Sequence, residues 1–392
     1  MADTRVEGRA RAVQLARQGQ LEAALAEYQA LLKHAPDDAE VRQQVAELLE
    51  WLGRTSDAAA AHEAAALAWA KALQPLRAVA ACVALGRLGA PASVRARTQA
   101  ALAERFALCS EACEDGVSGL FSRLGREDFV ALVDVLQARA FFPGQPVVQE
   151  GEAGASMFVL VEGRADVARA LENGERAVVG AVAPGDVFGE LALVSEGLRL
   201  ASVVVTERAV LLELTREALS SVSARQPRVA RVVEDFYRRR LVDNLLRSNP
   251  LLSRLTPAQK AALSLDFSLR PIAEGEVLLT QGQPGDAFYV LLRGRCTPWL
   301  LHPDGRRVAL AELHEGDVFG EISLLLDKPV SATVRAEGVG VVLRLPRAAF
   351  EKHLLSQPGL KGQLMRMGTE RLQRSARVLA SGRVLHDGDL RV

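Results

Sequence analysis

The chain has 392 residues, too long for one ordinary core, and that length implies two to four domains, with three as the expectation. Lys plus Arg total 48 and Asp plus Glu total 48, so the formal charge is zero and composition gives no general electrostatic case for binding nucleic acid or a membrane surface. Cys82, Cys109, Cys113 and Cys296 are too sparse for a disulfide framework and lack the paired spacings of a zinc site, which leaves free buried thiols and no metal as the reading.

The N-terminal stretch MADTRVEGRARAVQLARQ is charged throughout, without the apolar centre of a signal peptide, and no run of about 18 apolar residues follows anywhere, so a cytoplasmic protein is expected. The first hundred residues are rich in Ala, Leu, Arg, Glu and Gln, with Gly and Pro kept between the periodic segments, which reads as helix. Gly19, Ala24, Tyr28, Leu31 and Pro36 are spaced as in tetratricopeptide repeats. A shift of 34 residues reaches Gly53, Ala58, His62 and Ala65, although Ala70 replaces the proline. The expectation is a helical domain over 5–108, with two such repeats, capping helices and a loose third unit over 72–105. Repeats of this kind cannot bury their faces alone, so they must pack on the next domain or on a partner. Plain helical hairpins without a recognition role are the alternative.

From about residue 115 the texture changes to short Val, Leu and Phe-rich runs broken by Gly, Pro and Asp, the pattern of an all-β roll. There the chain repeats itself at a separation of 131 residues. Leu120-Phe-Ser-Arg-Leu124 returns as Leu251-Leu-Ser-Arg-Leu255. Gly144, Gly151, Gly154 and Gly163 return as Gly275, Gly282, Gly285 and Gly294, and Gly185-Asp-Val-Phe-Gly-Glu190 returns letter for letter as Gly316-Asp-Val-Phe-Gly-Glu321. Arg216 matches Arg347 beyond the last strand of each copy. Val229, Val232, Val233, Phe236, Tyr237, Leu241 and Leu245 then follow at helical spacing and lead into the second copy. Residues 350–378 supply the equivalent helices after it.

The first copy reads Phe188-Gly-Glu-Leu-Ala-Leu-Val-Ser-Glu-Gly-Leu-Arg-Leu-Ala-Ser-Val203. On this run the chain resembles cyclic-nucleotide-binding domains, the jelly-roll modules of the regulatory subunits of cAMP-dependent protein kinase and of catabolite activator proteins. The resemblance covers residues 115–378. It implies a multidomain α+β protein, with a TPR-like N-terminal α-helical repeat followed by two β jelly-roll domains with flanking helices. The ranges are 115–245 for domain A, 246–378 for domain B and 379–392 for a flexible tail.

The ligand explains the residue types. A cyclic nucleotide presents one phosphodiester charge and a ribose 2′-hydroxyl, and a selective site must satisfy both while shedding water. The expected contacts in domain A come from Phe188, Gly189, Glu190, Leu191, Ala192, Arg199, Leu200, Ala201 and Ser202. Gly189 admits a close backbone approach, and the amides near Leu191 and Ala192 face an anion. Arg199, nine residues after Glu190, neutralises the phosphate with charge-assisted bonds, while Glu190 accepts from the ribose hydroxyl. Ala201 and Ser202 fall where the family places a backbone amide and a small polar group beside the phosphate. Leu198 replaces the family's usual proline, and Leu200 is bulkier than its usual small residue, so cAMP is the default ligand and cGMP the alternative.

Domain B keeps Gly320, Glu321, Ile322, Ser323, Ser331, Ala332 and Thr333, but Val330 stands where Arg199 is in domain A. Loss of one charge-assisted hydrogen bond removes about 1.5–3 kcal/mol, or roughly one to two decades of affinity. Lys328, two residues away, is the one candidate substitute. Domain B is therefore read as a degenerate, silent site.

No Walker or kinase glycine loop, nucleophile elbow or carboxylate–histidine cluster is legible, and the six histidines, 34, 62, 302, 314, 353 and 386, are scattered. Arg238-Arg-Arg240 lies inside the connecting helix and reads as a solvated face or a contact with the neighbouring roll. The expectation is a non-enzymatic, cyclic-nucleotide-responsive regulatory or adaptor protein without a cofactor. Its partners would be the nucleotide and a protein bound by the helical repeats, with a homo-oligomer compatible with both and no nucleic acid or membrane. The competing reading is a ligand-free assembly protein that uses degenerate rolls and helical repeats as interaction modules.

Overall fold

The computed structural model describes residues 2–108, 118–170, 175–194, 197–248, 252–253, 255–301 and 305–381. Cys109, Cys113, His302, His386 and the end of the expected tail lie outside them. Contacts divide the chain into two compact units. The first comprises Met1–Leu193 with Leu198–Glu234, and the second Val194–Gly197 with Asp235–Val392.

The first unit opens with six helices, α1 (Ala2–Arg17), α2 (Leu21–His34), α3 (Ala39–Trp51), α4 (Thr55–Lys71), α5 (Pro75–Arg87) and α6 (Ala92–Phe106). Tight turns separate them, and Gly19, Gly53 and Gly89 each take a positive φ at a turn after an odd-numbered helix. Positions 34 apart are buried alike: Ala24 and Ala58 are fully enclosed, where any larger residue would hold neighbouring helices apart. Tyr28 and His62 also correspond and are both buried, so a polar imidazole enters the second repeat where the first has a phenol. Asp38 caps α3 by accepting from the Val41 amide at 3.1 Å.

Short helices α7 (Ser118–Ser122) and α8 (Arg126–Val135) lead into the first roll: β1 (Gln137–Phe141), β2 (Pro146–Val148), β3 (Ser156–Ala170), β4 (Arg176–Val182), β5 (Val187–Phe188), helix α9 (Leu191–Val194) and β6 (Ser202–Thr215). All pairings are antiparallel in the order β1-β6-β3-β4, with β2 on β6 and β5 on β3. Alternate residues such as Phe158, Leu160, Val203, Val205 and Leu211 face inward and form its core. Helices α10 (Arg216–Arg225) and α11 (Pro227–Ser248) follow.

In the second unit α12 (Pro257–Asp266), closed by a Thr256–Gln259 capping box, precedes the second roll. Its elements are β7 (Ser268–Ile272), β8 (Val277–Leu279), β9 (Ala287–Arg293), β10 (Cys296–Leu301), β11 (Arg307–Ala309), β12 (Val318–Phe319), helix α13 (Glu321–Leu326), β13 (Thr333–Ala336) and β14 (Gly340–Pro346). They form two antiparallel sheets, β11-β10-β13-β8 and β12-β9-β14-β7. Helix α14 (Arg347–Phe350), a π-helical turn over Glu351–Leu355 and α15 (Pro358–Ser381) close the unit.

The 131-residue shift maps these elements onto one another end for end: β1 onto β7, β2 onto β8, β5 onto β12, α8 onto α12, and the starts of α10 and α11 onto those of α14 and α15. The long strand β3 becomes the pair β9 and β10 because both copies bend at the same glycine. Gly163 has φ +93 and Gly294 φ +96, and a Cβ on Gly163 would stand 2.2 Å from the Arg208 carbonyl oxygen of the paired strand. Cys82 and Cys296 are buried, and burial pushes each thiol up to about 12, so neither is a reactive thiolate.

Candidate functional site

In the first roll the chain turns sharply between β5 and α9 at Gly189, whose φ of +78 is a left-handed conformation that a side chain would strain. The turn carries Glu190 inward to 8% exposure and starts the short helix α9. Leu193 donates to the Glu190 carbonyl and Ala192 to the Gly189 carbonyl, each at 3.0 Å. The Ala192 amide therefore serves the turn itself, and the expected pair of anion-facing amides is reduced at that position.

Arg199 returns to this turn from the other side. Its backbone is fixed in the extended segment, donating to Glu152 at 2.7 Å and accepting from Gly151 at 2.9 Å. Its half-buried side chain bends over two glycines. A Cβ on Gly154 would lie 2.5 Å from Nε, and one on Gly189 would lie 2.5 Å from Nη1, so both positions must be glycine for the guanidinium to take this seat. Nη1 donates to the Gly189 carbonyl at 3.4 Å, and the guanidinium carbon stands 5.8 Å from the centre of the Phe158 ring, which stacks on Phe188 at 5.4 Å. Glu190, Gly189, Phe188 and Arg199 are thus brought to one turn. The bulky neighbours diverge: Leu198 is 57% exposed, while Leu200 and Ala201 are half-buried.

Ser202 has a different task from the one its position suggests. It is fully buried, and its hydroxyl accepts from the Glu150 amide at 3.0 Å, tying β6 to the end of β2. Arg216 also proves structural, a role that its recurrence as Arg347 signals without specifying. Its Nε donates to the Ala192 carbonyl at 2.9 Å, its Nη2 to the Gly154 carbonyl at 3.5 Å and its amide to the Ala155 carbonyl at 2.7 Å. One side chain from the start of α10 thereby clamps both the glycine loop and the helix that border Arg199.

The second roll repeats the frame with other side chains. Gly320 has φ +84, and α13 follows with Glu321 at 1% exposure. Val330 has the backbone partners of Arg199, donating to Gln283 and accepting from Gly282 at 2.9 Å each, and Thr333 accepts from Gln281 as Ser202 does from Glu150. Arg347 again holds the glycine loop, donating from Nε to the Gly285 carbonyl at 3.1 Å. The contents of the seat have changed. Val330 is 5% exposed in an apolar cluster with Tyr289, Leu291, Phe319 and Val334, and a Cβ on Gly285 would lie 2.0 Å from Ser323 Oγ and 3.7 Å from Val330. Ser323 and Val330 together fill the volume that the guanidinium fills in the first roll. Lys328 is exposed whereas Val330 is buried, so the two do not share an inward face.

Glu321 has a charged partner of its own. Arg371 Nη1, from α15, reaches it at 2.8 Å and also donates to the Val318 carbonyl. Burial pushes the Glu321 carboxyl up, against the opposing pull of Arg371. The pair stands on the wall of a cavity of about 330 Å³ that Ile322, Ser331 and Ala332 also line, beside Val330 and Leu310. Arg371 lies outside the repeated motif and was missed. The signal available in the sequence was Arg240, 131 residues earlier and at the same register of its own helix.

Comparison with known proteins gives this frame a name. Residues 138–226 and 269–357 each match the cyclic nucleotide-binding domain family. The chain is 32% identical over 246 residues to the cAMP-dependent protein kinase regulatory subunit of Emericella nidulans, covering 60% of this chain and 57% of that protein. It is 30% identical over 263 residues to that of Blastocladiella emersonii, covering 66% and 59%. The chain therefore spans less than two thirds of the length of these relatives. Among solved structures, the regulatory domain of Toxoplasma gondii PKA with cAMP matches at 25% identity and a TM-score of 0.34, over 64% of this chain and 92% of that one. The chain carries two cyclic nucleotide-binding domains behind an N-terminal helical region. Among the described residues no helix is long and apolar enough to cross a membrane.

Proposed function

We propose that the protein is a regulatory, non-catalytic receptor for a cyclic nucleotide, cAMP by default and cGMP as the alternative, in which the first roll holds the ligand. The observation that carries this reading is the seat of Arg199. A guanidinium held between Gly154 and Gly189, one turn from the enclosed Glu190 carboxylate, offers a cation for a phosphodiester and an acceptor for a ribose hydroxyl within one pocket. Phe188, Leu191, Ala192, Leu200 and Ala201 would border the ligand, while Ser202 would support it through β2.

The second roll is read as silent toward cyclic nucleotides. Val330 supplies no charge, Lys328 faces solvent, and Arg371 is neutralised by Glu321. A monoanion entering that cavity would leave water without gaining a counter-ion, which disfavours it strongly. Gly320, Ile322, Ser323, Ser331, Ala332 and Thr333 there would serve the fold.

The relatives' name, regulatory subunit of a protein kinase, makes a kinase catalytic subunit one candidate partner, and the N-terminal helices offer a second surface for a protein. Ligand would alter that presentation only by binding one arrangement of the chain more tightly than another. Isothermal titration of the full chain with cAMP and cGMP is the test. A saturable heat that is lost or weakened at least tenfold in Arg199→Ala is expected. No heat for either nucleotide at about 100 μM protein, in a regime able to detect micromolar binding, would sink the reading and leave the ligand-free assembly protein in its place.

A further inference from the structure

The largest polar cavity of the first unit lies away from the nucleotide seat, where α3, α4 and α5 face the β1 and β6 strands of the roll. It encloses about 580 Å³, within the size range of small-molecule sites. Four buried polar atoms on its lining residues, Gln43 Oε1, Glu47 Oε2, His62 Nδ1 and Arg208 Nε, have no hydrogen-bond partner among the described residues. Leaving one such group unmet costs about 1–3 kcal/mol, so four converging on one space mark a place built for contents.

The chemistry of those contents follows from the partners that are already made. His62, with a side chain only 3% exposed, meets Glu50 Oε1 through Nε2 at 2.5 Å. Burial alone would raise Glu50, but hydrogen bonds from His62 and Arg87, with the charges behind them, outweigh it and hold the carboxyl below its usual range. An ionised carboxylate only accepts, so Nε2 donates, and in the neutral ring Nδ1 is an acceptor. Gln43 donates through Nε2 to Glu47 Oε1 at 3.0 Å, which turns its carbonyl oxygen outward as a second acceptor. Glu47 Oε2 stands 2.8 Å from Arg208 Nη2 as an ion pair, out of line for a hydrogen bond, and is the third. Arg208 Nε is the one donor. The charges cancel in pairs: Glu47 with Arg208, Glu50 with Arg87 at 2.7 Å, and Glu213 with Arg139 at 3.0 Å. An ion would find no counter-charge there. Trp51 and Phe142 add apolar faces about half exposed, and the Arg208 guanidinium lies 5.5 Å from the Trp51 ring centre.

We propose that this cavity binds an uncharged, hydroxyl-rich small molecule of monosaccharide or cyclitol size, whose hydroxyls donate to Gln43, Glu47 and His62 and accept from Arg208, and whose C–H face packs on Trp51 or Phe142. The site is separate from the nucleotide seat and does not depend on it.

The test is titration of the full chain with D-glucose, D-ribose and myo-inositol, read by calorimetry and by ligand-observed NMR, with glycerol as a control. At least one ring compound is expected to bind saturably with a dissociation constant at or below about 1 mM. Binding should weaken at least tenfold in both Gln43→Met and His62→Phe, and should be unchanged in Arg199→Ala, which tests the nucleotide site alone. Because His62→Phe may perturb packing, Gln43→Met, at a half-buried position, keeps the result interpretable. No saturable response from any ring compound, meaning that water alone fills the joint, overturns the proposal. So does binding that survives both substitutions.

Discussion

The two rolls share a backbone and differ in what it carries. Residues 199 and 330 make the same pair of main-chain bonds, Ser202 and Thr333 accept from equivalent amides of the second strand of each roll, and Arg216 and Arg347 clamp equivalent glycine loops. Yet the space between Gly154 and Gly189 holds a guanidinium, whereas beside Gly285 it holds a valine and a serine hydroxyl. A frame stabilised by main-chain and buried polar contacts does not require its ligand, so binding chemistry can be lost while the fold persists. It follows that retained motif glycines report the frame, and only the side chains in the seat report the chemistry.

The largest expected effect tests what the second roll still needs. Glu321 keeps an enclosed carboxylate because Arg371 stands against it, and removing one member of a buried pair strands the other. Arg371→Ala should cost about 3 kcal/mol, the low end for such pairs because Arg371 itself is partly exposed. The loss should depend on pH. A carboxyl whose pKa is raised on folding binds its proton more tightly in the native state, so stability is full in acid and declines as pH rises from the ordinary glutamate range through the raised value. Arg371→Ala should steepen that decline. Thermal melting of wild type and variant across this range checks it, and a variant with a flat profile would show that Glu321 does not titrate as its burial implies.

Exchange of the seat residues comes next in size. Arg199→Val makes the first roll like the second and should remove roughly one to two decades of cyclic-nucleotide affinity with little change in melting temperature. The reverse exchange is not symmetrical. Val330→Arg alone must push a guanidinium into volume already taken by Ser323, and such overpacking costs about 1–3 kcal/mol. Val330→Arg with Ser323→Ala, which restores the alanine of position 192, should recover the stability and give the second roll measurable nucleotide binding by calorimetry. Recovery of stability without binding would show that more than these two side chains separates the rolls.

Much of this was legible in the sequence because a duplication supplies its own comparison. The 131-residue register carried the element boundaries correctly from one copy to the other, since any insertion would have moved a strand's inward face to solvent. It also exposed the exchange at 199 and 330. The roles of Ser202 and Ala192 were not legible. A small hydroxyl or an amide near an anion site suits the ligand and the local turn equally well, and only coordinates show which one claims it. Arg371 was hidden for another reason: it acts from a helix fifty residues after its partner, and no local pattern records that distance. The polar joint beneath the helices was likewise invisible, because His62 reads as an ordinary repeat position until Glu50 and Arg87 are seen beside it.

The smallest expected effect separates frame from seat most cleanly. Ser202 and Thr333 each accept one amide hydrogen bond in a buried setting, from Glu150 and Gln281 respectively. If both serve the frame alone, Ser202→Ala and Thr333→Val should each cost about 1 kcal/mol, the usual net value of one such bond, through the amide left unmet. The two losses should be similar in chemical denaturation, although one roll is proposed to bind nucleotide and the other is not. The discriminating measurement is nucleotide affinity. A frame residue acts on the ligand only through the position of its strand, so Ser202→Ala should weaken binding far less than Arg199→Val does. If instead its loss of affinity equals that of Arg199→Val while stability is unchanged, the hydroxyl turns toward the ligand when the site is filled, and Ser202 belongs to the seat after all.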